Sequence, residues 1–492
     1  MMSNIDFFKL LSISIPENYN EYSFDMQING PIKTITISTK PKPMFCPHCN
    51  SIMHSKGIYT RSVRHPVLQD GTQIILKVKQ RRWKCTGEYC TCSINEEFPF
   101  LERHRQTTNT TPFMILNAMK DLNRSTASIA QQYNVSDTYV HDIFTAYVDL
   151  KRLPLPIYLS VDEVFLNFAP DMKYQLVLMD FKTNQIVDIL PNRYQSTFEN
   201  YLLRIPLEER LNVRYFISDA YSPYFSMCKM YFPNAVHILD SFHDIQAIIV
   251  KINNYINTIL RAYQEKDKRR LEVKNHYTNS ENKTIKESQE VILLRNYRWI
   301  ILKNNDDITY SYKPHYHKSL KMYLTTGQIE DMFFKLHPNF LTIRVLKEKY
   351  IQFNKQNYSS SEETAKALDV LIAEYANCDI TIFRDFSVFL SRFREPIIHS
   401  FNETLVSRNN RNQRIELLSR LSNGPMEGFN RLPKDLKRLT RGMNNFDYNR
   451  NRILWATRIN PPIRSIPKTK EQIHSYKLSK STESRRPKKY KK

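Results

Sequence analysis

Two sets of side chains in this chain have the type and spacing to do chemistry. The first is thiol. Cys46-Pro-His-Cys49 is a C-x2-C knuckle, and Cys85-Thr-Gly-Glu-Tyr-Cys90 is a C-x4-C knuckle further on. Four thiolates in two close pairs match a tetrahedral structural Zn²⁺ site. Cys92 competes with Cys90 for the last place, while Cys228 and Cys378 read as core thiols. Arg81, Arg82 and Lys84 flank the second knuckle, where they would offset the negative charge of a zinc tetrathiolate and touch phosphate. The second set is carboxylate. Asp162, with Glu163, interrupts the alternating segment Ile157–Phe168. Asp219 ends the apolar run Val213–Ser218, and Glu427 opens a helix within SNGPMEGFN. An acid inside an apolar strand is costly unless it is paired or metal-bound. Converging carboxylates hold hard cations such as Mg²⁺ or Mn²⁺. Two such ions activate a nucleophile and stabilise the leaving oxygen of a phosphodiester displacement.

The elements around these acids set how they would converge. Strands are expected at 157–168, 174–179, 186–190, 213–218 and 235–239. Lys182-Thr183-Asn184 makes a hairpin turn, and helices follow the third and fourth strands. Strand, hairpin, helix, strand, helix, strand is the order of the ribonuclease H-like fold. In that fold acids from the first strand, the fourth strand and a late helix meet. Upstream, Ile32–Ser38 alternates as a strand, and Gln73–Val78 is a second strand after an Asp70-Gly71 turn, which together give a zinc-ribbon plan. Thr111 is expected to cap a helix beginning at Pro112. Ser128–Phe144 then has helix-turn-helix spacing: Ile129 and Ala130 inward, Asn134 in the turn, Val135 at the corner, Ser136 as cap, and Val140 and Phe144 inward. Thr138 and His141 would face the major groove, with Asp137 and Asp142 beside them opposing phosphate. The bland alternatives are unmetallated thiols, an ordinary helical hairpin and solvated acids.

The charge balance excludes other classes. Lys and Arg number 72 against 49 Asp and Glu, a net charge of +23, which points to a polyanionic partner such as nucleic acid. Apolar runs fall short of a membrane span, and the N-terminus lacks the pattern of an export signal, so a cytoplasmic location is expected. No glycine-rich phosphate loop occurs among the 8 glycines. After Glu427, Lys434, Lys437, Arg438 and Arg441 recur at helical spacing and make either a DNA-contacting or a solvated basic face. Trp299 in the later helical region either stacks on a flipped base or packs in a core. Residues 459–492 hold 11 Lys and Arg against 2 acids and four prolines, and read as disordered until they meet an anion.

These pieces together resemble the bacterial insertion-sequence transposases of the ISL-three family, within the wider D-D-E transposases. The resemblance runs from about Cys46 to Leu454. It rests on the CPHC knuckle, RRWKC with its later cysteine, the helix-turn-helix, VDEV, ISDAYSPY, FPNAVHILDSFH and LSNGPMEGFNRLPKDLKRL. It implies a multidomain α/β chain: a ribonuclease H-like catalytic core interrupted by an α-helical insertion, preceded by a zinc ribbon and a helix-turn-helix. The implied segments are 1–105 with the zinc ribbon, 106–152 for the helix-turn-helix, 153–245 and 421–458 for the core, 246–420 for the insertion, and 459–492 as a basic tail. It further implies Asp162, Asp219 and Glu427 as the Mg²⁺-binding triad. His243 would contact the scissile phosphate and Asp240 would orient local structure. The implied partners are terminal inverted repeats and target DNA, gripped by a dimer or larger assembly. Pro433 departs from the family pattern and would kink the helix of Glu427. With the acidic reading helix, it motivates a second reading, a catalytically inactive or domesticated DNA-binding regulator.

Overall fold

Alternating burial along short strands builds the N-terminal sheet. The computed structural model describes residues 3–66, 73–102, 105–278, 287–410, 413–439 and 445–474. Helix α1 (Asn4–Leu10) is capped by Ser3 and places Phe7 and Phe8 in the core. Strands β1 (Tyr22–Asn29), β2 (Ile32–Thr39), β3 (Met44–Phe45), β4 (Ile52–Arg64), β5 (Gln73–Cys85) and β6 (Ser93–Asn95) form one sheet in the order β1-β2-β5-β4-β3, with β6 on β5. Ile35, Ile37, Ile74, Leu76 and Val78 fill its inner face. The expected strand at Gln73–Val78 therefore runs on to Cys85. Its main antiparallel partner, β4, was not anticipated. The Asp70-Gly71 turn and Arg441 lie outside the described residues.

Three helices follow: α2 (Thr111–Ala118), α3 (Thr126–Gln132) and α4 (Asp137–Tyr147). Thr110 rather than Thr111 stands at the N-cap of α2. Ser125 and Ser136 cap α3 and α4 through their hydroxyls, which accept from the Ser128 and Tyr139 N–H groups. Asn134 adopts φ 52°, the left-handed turn between them. Ile129, Ala130, Val140 and Phe144 are buried as the periodicity requires.

The next element order is β7 (Tyr158–Phe165), β8 (Tyr174–Asp180), β9 (Ile186–Leu190), α5 (Gln195–Leu203), α6 (Leu207–Leu211), β10 (Tyr215–Ser218), α7 (Ser222–Tyr231) and β11 (Val236–Leu239). The sheet order is β11-β10-β7-β8-β9; β7, β10 and β11 run parallel, while β8 and β9 pair antiparallel. One face packs Leu159, Val161, Leu176, Leu178 and Phe216 against α5 and α7 residues Phe198, Leu202, Tyr224 and Met227. Helix α8 (Ser241–Thr278) then leaves the sheet. It runs through position 245 without a break, so the expected boundary falls inside a helix, because no glycine or proline interrupts it there.

Helices α9 (Gln289–Asn296), α10 (Trp299–Leu302), α11 (Thr326–Phe334), α12 (Phe340–Lys355), α13 (Ser361–Ala376), α14 (Thr381–Arg392) and α15 (Arg394–His399), with a small hairpin of β12 (His315–His317) and β13 (Met322–Leu324), bury one continuous core against α8. Residues 403–420 depart from the helical expectation. They form an antiparallel hairpin, β14 (Glu403–Asn410) with β15 (Gln413–Arg420), whose Val406 joins Leu421 against Phe181, Ile217 and Ile238. Helix α16 (Gly424–Phe429) follows; α17 (Arg431–Leu439) and α18 (Phe446–Thr457) close the fold.

By internal contacts the chain divides into two units: Met1–Arg152 with Val164–Gln175 and Asn430–Lys492, and Leu153–Glu163 with Leu176–Phe429. In the first, α18 packs on the α2–α4 helices. The Trp455 indole N–H donates to the Leu116 carbonyl at 2.8 Å, and the buried Arg452 guanidinium donates to the Asp121 and Arg124 carbonyls. Residues 459–474 belong to the same unit, where the Arg464 and Lys468 N–H groups donate to the Tyr147 and Ala146 carbonyls; the rest of the expected 459–492 tail lies outside the described residues. Among the described residues no helix is long and apolar enough to cross a membrane.

Candidate functional site

The thiol site assembles from three backbone devices. Asn50, at φ 55°, turns the first knuckle so that the Cys46 N–H donates to the Ser51 carbonyl and the Asn50 N–H to the Cys46 carbonyl, both at 2.9 Å. Cys85 ends β5, and its N–H donates to the Cys92 carbonyl at 2.9 Å, which folds the second knuckle back. Gly87 sits so close that a Cβ there would meet Ser51 Oγ at 3.1 Å and Cys49 Sγ at 3.2 Å, so a side chain at this position would press on the knuckle. The outcome is Cys46, Cys49, Cys85 and Cys90 with all four sulfurs within 4.8 Å of one another; Cys46 and Cys90 approach to 3.6 Å and Cys49 and Cys85 to 3.3 Å. Burial resists ionisation of Cys46, but the N–H groups of His48 and Cys49 and the neighbouring thiols outweigh it and bring its pKa down to about 6. Four sulfurs in this span fit the donor set of a structural Zn²⁺. Arg81 stacks over Trp83 at 5.5 Å and Arg82 donates to Ser93 Oγ, so both stand on β5 beside the site.

The carboxylate site is held by strand ends and one latch. Asp162 is 7% exposed on β7. Burial is the main reason its pKa is pushed up to about 6; the Glu163 N–H and His243 pull it down, while Asp219 and Glu163 push it up. Asp219 follows β10 and accepts from the Tyr221 N–H at 3.2 Å, which fixes it at the entry to α7. Its pKa is raised for the same first reason, burial, with Glu163 and Asp240 adding to it and His243 opposing. The latch is Asn423, which is fully buried. Its side-chain amide donates to the Val161 carbonyl at 3.1 Å and its amide oxygen accepts from the Ser160 hydroxyl. Its own carbonyl takes the Glu427 N–H at 3.0 Å. One residue thus caps α16 and pins that helix to the strand that carries Asp162. It stands inside SNGPMEGFN, but no sequence feature marks it, because its burial and its partners arise only in the fold.

The structure sorts the expected residues. Asp240, His243 and Glu427 bring one ligand atom each within 4.8 Å, and His243 Nε2 lies 3.8 Å from Asp240 Oδ2. Asp162 stands near enough to Asp219 for that carboxylate to push its pKa up, and Glu427 joins the site beside Asp240 and His243. Glu163 is bound elsewhere: it pairs with Arg193 at 2.7 Å and accepts from the Tyr224 hydroxyl at 2.8 Å. Below the site, Asp244 is fully buried, and burial, then Asp240 and Asp219, raises its pKa well above the usual range. Trp299 packs half-buried against the helical core, with Lys303 over its ring.

Pro433 does not damage the helix of Glu427. The chain ends α16 at Phe429 and restarts at Arg431, so the proline falls in the first turn of α17, where its missing N–H costs nothing. On α17, Lys434 and Arg438 are exposed, whereas Lys437 lies 4.4 Å over the Phe168 ring, and desolvation lowers its pKa. On α4, Thr138 is exposed as expected. His141 is half-covered, stacked on Tyr448 at 4.5 Å, so it is not the free outward side chain the helical spacing suggested.

Comparison with known families agrees with this arrangement. The zinc-finger model of the IS204/IS1001/IS1096/IS1165 transposases matches residues 42–90, which span the four clustered thiols. Curated proteins give no significant match. A transposase family model matches residues 159–453, more than half of the chain, and takes in both strand acids, the latch and Glu427. The chain belongs to the ISL3 family of transposases.

Proposed function

We propose that this chain binds the terminal inverted repeats of an insertion sequence, cuts the DNA strand there and joins the freed 3′-hydroxyl to target DNA. The observation that carries the reading is the Asn423 latch, which fixes the Glu427 helix to the β7 strand of Asp162. The order β9-β8-β7-β10-β11, with β7, β10 and β11 parallel, supports a ribonuclease H-like core. Asp162, Asp219 and Glu427 would hold Mg²⁺ or Mn²⁺; their hard oxygen donors fit those ions. Bound there, the ions supply an activated water and charge stabilisation for the leaving oxygen. Around them, His243 would donate a hydrogen bond to the scissile phosphate, and Asp240 would orient its ring. No serine or tyrosine nucleophile is required.

Grip on DNA is assigned to the first unit. The α3–α4 pair, with Asn134 in its turn, is consistent with a helix-turn-helix whose first exposed turn, including Thr138, enters the major groove. Arg81 and Arg82 beside the zinc site, and Lys434, Lys437 and Arg438 of α17, would contact the duplex or its backbone. Because two element ends must be paired, the working form would be a dimer or larger assembly, acting in the cytoplasm on the bacterial chromosome. The inactive-regulator reading loses its motive at Pro433, which falls outside the helix of Glu427.

The test is strand cleavage of labelled DNA carrying the sequence that flanks the gene, with Mg²⁺ or with EDTA. Mg²⁺-dependent nicking at one boundary, lost in Glu427→Gln while binding persists, is the expected result. Binding without cleavage by the unaltered protein would favour the regulator; cleavage undiminished in Glu427→Gln would refute the site.

A further inference from the structure

The acids on and after α4 are a problem for any DNA reader, since a carboxylate facing phosphate is repelled. In this chain another segment covers two of them. The Arg464 N–H donates to the Tyr147 carbonyl at 2.8 Å and the Lys468 N–H to the Ala146 carbonyl at 3.1 Å, so residues 464–468 lie along the last turn of α4. These carbonyls are among those a helix C-terminus leaves without an intrahelical partner. The side chains match the backbone. Arg464 pairs with Asp149, Lys468 Nζ lies 3.8 Å from the same carboxylate, and His474 Nε2 lies 3.3 Å from Asp142 Oδ2. The first turn of α4, with Asp137 and Thr138, stays exposed. The segment also carries an exposed Lys470.

We propose that residues 464–474 are a built-in part of the DNA-reading surface. They form a basic strap that neutralises Asp149, sets His474 against Asp142, and presents Lys470 to the phosphates flanking the groove that α4 enters. This rests on the reading of α4 as the groove-facing helix. Two main-chain bonds fix the strap's register, so its charge is placed rather than smeared over the surface. The ligand is the phosphate backbone of duplex DNA, which carries no sequence information, so the strap adds affinity and salt dependence and leaves the base preference to the first turn of α4.

The full-length protein should be titrated with a labelled duplex of the gene's flanking sequence, and with an unrelated duplex, across a range of salt. Arg464→Ala with Lys468→Ala should weaken binding to both duplexes by roughly tenfold, through lost cation contacts and one unpaired acid, Asp149. Adding Asp149→Asn should recover much of that loss, which a merely structural strap would not allow. A crosslinker on Lys470→Cys in the otherwise intact chain should capture the duplex, even should the double variant fail to fold. Unchanged affinity in the double variant at every salt, or no capture at position 470, overturns the strap. If Thr138→Ala leaves the preference between duplexes unchanged, the reading of α4 itself falls, whatever the strap variants do.

Discussion

Asn423 concentrates several jobs in one side chain. It is buried, bonded to Ser160 and Val161, and its carbonyl starts the helix of Glu427. Replacing it by alanine leaves a buried carbonyl and a buried hydroxyl without their partner, which costs about 2 kcal/mol. Asn423→Ala should therefore lower the urea midpoint and abolish cleavage, since α16 is no longer tied to β7; retained cleavage would show that the latch is dispensable. Two buried histidines set a second prediction. Burial lowers the pKa of both His65 and His237 from 6.5 to about 4. In the unfolded chain they take up protons below the unfolded value, while the folded form resists. Their contribution is thus present above pH 6.5 and is lost as pH falls toward 4. Each shift corresponds to on the order of 3 kcal/mol. Unfolding free energy should fall from pH 7 to pH 4, and His237→Gln should make the fall shallower; an identical slope in that variant would count against the assignment. The thiol ligands were legible in the sequence because each knuckle is closed by its own short loop. His141 was misjudged because helical spacing points it outward, and only the fold brings Tyr448 over its ring.

At the scale of elements, α18 is the piece that the family resemblance assigned elsewhere. It follows the helix of Glu427 in the chain and was grouped with the catalytic core. It packs instead with α2, through Trp455 and the Leu116 carbonyl, and with the Asp121 and Arg124 carbonyls through Arg452. Trp455 is 5% exposed, and truncating it to alanine should cost about 3–5 kcal/mol. The expected outcome is loss of DNA binding and a lowered melting transition of the first unit, read by calorimetry. A wild-type melting profile would mean α18 is not part of that bundle. The strand order around Asp162 was legible, since each strand there is short, apolar and bounded by a turn residue such as Asn184. The β14–β15 hairpin was not, because Glu403–Asn410 and Gln413–Arg420 alternate only weakly and leave Leu405 and Leu418 exposed.

For the whole molecule, two units with separate cores predict two calorimetric transitions. Removing zinc with a strong chelator should lower the transition of the unit that holds Cys46, Cys49, Cys85 and Cys90 and leave the other in place, because a structural zinc contributes folding free energy to its own unit. Freshly purified protein should carry one zinc per chain by metal analysis; well under one in a folded sample would refute the site. What the sequence determined by itself was local: the paired thiols, the turn at Asn134, the caps at Ser136 and the acids at strand ends. These depend on spacing within a few residues, where the period of a strand or helix fixes which side chains share a face. The tertiary structure alone decided which distant segments meet. The Asn423 bond to Val161 spans 262 positions and the Trp455 bond to Leu116 spans 339. Periodicity carries no information about partners so far apart. They are chosen by which buried polar groups and apolar faces satisfy one another once the chain has collapsed, and that choice is what puts the carboxylates together and lays the basic strap along α4.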